Sequence, residues 1–73
     1  MNDPFHICFY FRVSKMTGII DTVVYVPAIE AVDTASTMFI VADEFMLHDY
    51  KQLAESGAVG INAIIPGTFT KKK

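Results

Sequence analysis

Phe5-His-Ile-Cys-Phe-Tyr-Phe-Arg-Val13 is the stretch on which the fold turns. Aromatic and β-branched residues crowd it, the composition of a strand. Side chains along a strand alternate between two faces. Phe5, Ile7, Phe9, Phe11 and Val13 fall on one face, which reads as a core face. His6, Cys8, Tyr10 and Arg12 fall on the other. That second set is more apolar than a surface made only for water.

Working outward, Val13 to Ile19 reads as a hairpin connection, with Gly18 at the positive-φ position of a type I turn followed by a bulge. A second strand follows. Val24 and Val26 are assigned to the core face, but beyond Pro27 the inward pair is Ile29 and Ala31, with Glu30 turned out. The parity changes, so a bulge is expected near Pro27-Ala28. Proline cannot donate a ladder hydrogen bond and is confined to edges, which makes this an edge strand.

Asp33 is a favoured N-cap residue. After it, Ala35, Phe39, Ala42 and Met46 recur at spacings of three and four, predicting a helix over 34–47. Asp49-Tyr-Lys-Gln52 has the form of a capping box and predicts a short second helix over 50–56, stopped by Gly57. A single helix through 34–56 is the competing reading. Val59, Ile61, Ala63 and Ile65 then alternate inward against Gly60, Asn62 and Ile64, a third strand ended by Pro66-Gly67. The order is β-β-α-(α)-β. A right-handed crossover returns the third strand beside the first. The fold class is therefore α+β, a three-stranded antiparallel sheet of order 2-1-3 with one helical layer.

Size makes such a fold marginal. The chain has 73 residues, enough for a single domain over 1–73, and domains this short bury only about 60% of their unfolded surface. A single cysteine forms no internal disulfide, and no Cys/His cluster offers a structural metal or cofactor site. Oligomerisation is the remaining support. A hydrophobic content of 52% and a mean hydropathy of +0.37, high for so small a chain, agree. The lone cysteine suits a reducing compartment, the cytoplasm. The longest apolar run, Ile19 to Val32, is broken by Asp21, Pro27 and Glu30 and falls short of the roughly 20 residues of a membrane span. The N-terminus lacks a basic leader, so the chain reads as a complete small gene product.

The net charge of −2 is unevenly spread. Lys71, Lys72 and Lys73 are half of the six basic residues and belong to an expected flexible tail over 70–73. The other three basic residues face eight acidic ones. A body of that sign repels phosphate backbones, whose neutralisation dominates nucleic-acid affinity.

One helical layer covers one face of a three-stranded sheet. The other face, carrying His6, Cys8, Tyr10, Val23, Tyr25 and Ile64, is expected to be an interaction site. The competing readings are that the second helix, or the segment after Pro66, folds over it, or that the parity is off by one residue. Chemistry is harder to find. His48 beside Asp49, with Cys8 elsewhere, invites a nucleophilic triad. Adjacent helical residues, however, point about 100° apart, and a mid-strand thiol is usually inert. His6 and His48 lack a third ligand at metal spacing, and Gly57-Ala-Val-Gly60 lacks the Lys-Ser/Thr of a phosphate loop. The chain reads as a non-enzymatic, self-associating interaction module, a homodimer through its outer face that can also engage a host protein. Inhibitors and adaptors of this size are encoded by phages and mobile elements. The alternative is a single-stranded nucleic-acid binder stacking bases on the tyrosines, without the motif or basic surroundings of such sheets.

Overall fold

The structure is a computed structural model that describes residues 5–70. The expected tail over 70–73 lies, apart from Thr70, outside the described residues. Two strands, β1 (Ile7–Ser14) and β2 (Ile20–Pro27), form an antiparallel hairpin. Gly18 closes it at φ +74°, a left-handed conformation that other residues enter with strain. A third strand, β3 (Thr37–Val41), lies antiparallel on the other side of β1, giving the order β2-β1-β3. One helix, α1 (Glu44–Ala54), follows. The α+β class, the three-stranded antiparallel sheet and its 2-1-3 order are as expected, but the element order is β-β-β-α.

The expected helix over 34–47 is thus replaced by a strand and the start of a helix. Thr37-Met-Phe-Ile-Val41 is a short apolar run, and such runs fit either structure. Two side chains settle it. Asp33 does not cap a helix; its Oδ1 accepts the Phe39 N–H at 2.9 Å. Thr34 Oγ1 accepts from the N–H of Ser36 and of Thr37, at 3.3 and 3.1 Å, and turns the chain into β3. The true N-cap is Asp43, whose Oδ1 accepts the Met46 N–H at 2.9 Å. From there one continuous helix runs to Ala54, so Asp49-Tyr-Lys-Gln52 is helix interior and not the start of a second helix.

The expected strand over 59–65 also fails to form beside β1. Only one bridge survives, Ile19 with Gly60. There Ile20 N–H donates to Val59 O and Ile61 N–H to Gly18 O, at 2.8 and 2.7 Å. The segment therefore flanks the beginning of β2 and then coils into a 3₁₀ turn at Ile61–Ala63.

Register corrects the parity of β2. Thr22 pairs with Arg12 but Ile20 pairs with Val13, so Asp21 is an extra, exposed residue. That bulge at Asp21 replaces the one expected near Pro27-Ala28; Pro27 simply ends β2 opposite Ile7. Directly opposed residues share a face. Val23 and Tyr25 thus lie with Phe11 and Phe9, while Val24 and Val26 lie with Tyr10 and Cys8. The core forms on the Phe11 side, where Phe11, Val13, Ile20, Ala42, Val59 and Ile61 are buried and α1 packs through Met46, Leu47 and Tyr50.

β2 and β3 run parallel with β1 between them, so the connection from Ala28 to Ser36 must pass to one side of the sheet. Residues of α1 and of the segment from Val59 occupy the Phe11 side, which leaves the Tyr10 side to the connection. Right-handed crossovers prevail, and for this strand order and backbone polarity right-handed means that side. Asp33 emerges at the far edge of β3. Tyr10, central on a face that carries no α-helix, is only 7% exposed.

Candidate interaction surface

The six residues assigned to one outer face are dispersed by the fold. His6 and Cys8 keep to that side, exposed and half-buried respectively, and Tyr10 is buried in it. Val23 and Tyr25 belong to the opposite face. Ile64, no longer in a strand, packs half-buried against the core. The outer face is thus no open platform: the chain's own crossover lies on it. Tyr10 meets Phe39 edge-on at a centroid separation of 6.4 Å. The adjacent Cys8 side chain, with burial adding to its effect, raises the Tyr10 phenol above its ordinary pKa.

The surface left open lies on the helix side, toward the Ile7–Pro27 end of the sheet. There α1 covers Phe11, whose ring stands 5.5 Å from that of Tyr50, but the sheet continues beyond it. Phe9 and Tyr25, cross-strand partners, stack at 4.5 Å with planes tilted by 39°. Yet Tyr25 remains 61% exposed, Ile7 46% and Phe9 41%. Among the described residues no element follows α1 over that end, and these apolar side chains stay exposed.

Between this floor and the helix runs a groove of about 450 Å³. Phe9 and Val23 form its floor, and Glu44, Leu47, His48, Tyr50 and Lys51 its wall. Glu44, Leu47, His48 and Lys51 are spaced three, four and seven residues apart, one stripe of a helix. The wall is therefore apolar at Leu47 and Tyr50 and charged at its two ends. The signal that could have found it was the bulge: a lone charged residue, Asp21, between Ile20 and the Thr22–Val26 run shifts Val23 and Tyr25 onto the face of Phe9.

His48 Nε2 lies 3.1 Å from the Gln52 amide nitrogen, an (i, i+4) contact along the helix. Cys8 is on the far face of β1 from the groove that His48 lines, so Cys8, His48 and Asp49 form no triad. Among the described residues no three His, Cys, Asp or Glu side chains are grouped to hold a metal. No described helix is long and apolar enough to cross a membrane. No family model, curated protein sequence or solved structure matches the chain.

Proposed function

We propose that this chain is a non-catalytic protein-interaction module of the cytoplasm that self-associates and acts as an inhibitor or adaptor by occupying a partner's surface. The observation that carries the reading is the contiguous Ile7, Phe9 and Tyr25 surface beside the α1 groove. Contiguous apolar patches on small proteins usually mark interaction sites, and aromatic residues are enriched in the cores of interfaces. The nucleic-acid alternative loses its platform, because Tyr10 and Tyr25 lie on opposite faces and Tyr10 is buried. Sedimentation equilibrium at 10–100 µM, roughly the range of a weak dimer, tests the reading. Wild type is expected as a dimer, Ile7→Asp/Tyr25→Lys as a folded monomer, and Phe45→Asp, a change at an exposed α1 residue outside the groove lining, as a dimer. A monomeric wild type overturns it.

A further inference from the structure

The partner surface follows from the backbone of β2. Just before β1, His6 O accepts from Ala28 N–H, and within β1 Phe9 O accepts from Ala42 N–H. Even-numbered residues therefore bond toward β2 and odd-numbered ones toward β3. On β2 the residues opposite Cys8, Tyr10 and Arg12 turn inward, and Val23 and Tyr25 direct their N–H and C=O groups outward. Both ends of this open stretch are closed. Pro27 has no N–H to give, and beyond the Asp21 bulge the Ile20 N–H is already bonded to Val59 O.

We infer that two copies join by antiparallel pairing of their β2 edges at Val23–Tyr25, extending each three-stranded sheet into one of six strands; this rests on the self-association proposed above. The stretch is self-complementary. With the twofold axis at Val24, Val23 of one copy faces Tyr25 of the other and each outward group finds its opposite. Strand addition of this kind takes its affinity from main-chain hydrogen bonds.

Charge selects a second copy as the occupant. A twofold axis perpendicular to the joined sheet leaves both helices on the same face, running antiparallel, with Tyr25 and Val23 of both copies between them. Tyr50 of α1 packs on Phe11 of β1, and the β1 strands of the two copies stand three strand spacings, or about 14 Å, apart. The groove-lining stripe of each carries Glu44 at one end and Lys51 seven residues on. In the inferred dimer the twofold axis turns Glu44 of each copy toward Lys51 of the other. An arbitrary peptide brings no such pattern.

The test is a charge exchange on exposed residues. Glu44→Lys alone and Lys51→Glu alone each face like with like at two symmetric positions, and each is expected to weaken the dimer at least about tenfold. Mixing the two variants restores complementarity at both positions, so they are expected to form a one-to-one heterodimer that neither forms with itself. Sedimentation velocity and native mass spectrometry read the outcome. If wild type dimerises and both single variants dimerise equally well, self-association stands and β2 pairing is overturned. If the variants weaken but the mixture does not recover, the charge pairing is overturned. If wild type is monomeric, both this inference and the reading beneath it fall.

Discussion

Replacing Gly18 by alanine tests how the C-terminal segment holds the hairpin. Two costs are expected, and they are separable. The first is backbone strain, because φ is +74°, and a Cβ in the left-handed region costs about 1–2 kcal/mol. The second is steric. A Cβ at Gly18 would stand 2.6 Å from Cγ and Cδ2 of Phe69, so the ring must leave its half-buried seat against the core. Full burial of a phenylalanine contributes about 1.5–3 kcal/mol, and half of that is at stake. Gly18→Ala should therefore cost about 2–3.5 kcal/mol, against a total of about 4–11 kcal/mol for a chain this long. Phe69→Ala alone should cost about 1–1.5 kcal/mol. Its backbone stays in place, since Asn62 Nδ2 donates to Phe69 O and Phe69 N–H donates to Asn62 Oδ1, both at 2.8 Å. If the ring is already displaced by the methyl group introduced in Gly18→Ala, Phe69→Ala adds almost nothing in that background. Urea denaturation followed by far-UV circular dichroism closes the cycle. Full additivity of the two changes would refute the reasoning.

Two further expectations concern single side chains. Asp43→Ala should lower stability by about 0.5–2 kcal/mol and Asp33→Ala should leave the helical signal intact, because only Asp43 caps α1; amide exchange at Met46 and Phe39 tells them apart, and a frayed helix in Asp33→Ala would contradict the assignment. The Tyr10 phenol should ionise above the tyrosine reference of about 10, and Cys8→Ala should bring it down, since the Cys8 side chain is the largest cause of the shift. A raised folded pKa stabilises the fold fully below the unfolded value, and the gain is lost as pH rises through the folded one. Alkaline ultraviolet difference titration of both proteins reads this, and an unchanged curve in Cys8→Ala would contradict it.

Much of the sheet is legible in the residues, and the places that mislead share a cause. The aromatic run of β1, the turn at Gly18 and the edge position implied by Pro27 are local features, and all three stand. The third strand is ambiguous because Ala35, Phe39, Ala42 and Met46 satisfy a helical spacing while Thr37–Val41 satisfies a strand. Asp33 and Asp43 are both good caps ten residues apart, and only tertiary pairing with β1 decides which one starts the helix. Val59 and Ile61 are buried as their alternation implies, but burial of two residues does not make a strand. The candidate surface suffers most. A one-residue bulge reverses every side chain beyond it, and it carries Val23 and Tyr25 from one face to the other.

The two edges of the sheet are not alike, and the difference governs how far association can go. On the outer side of β3, Thr37 gives its N–H to Thr34 Oγ1 and takes the Thr34 N–H on its carbonyl, and Phe39 gives its N–H to Asp33. The N–H and C=O of Thr37 and the N–H of Phe39 on that rim are thus already hydrogen-bonded by the chain's own crossover. A protein with two bare rims can recruit copies at both and grow without limit, as fibrils do. One with a single bare rim is finished when that rim is paired. In the β2 pairing inferred above, Asp33 and Thr34 would oppose further growth at the other rim, and the assembly would end as a closed pair and not as a fibre.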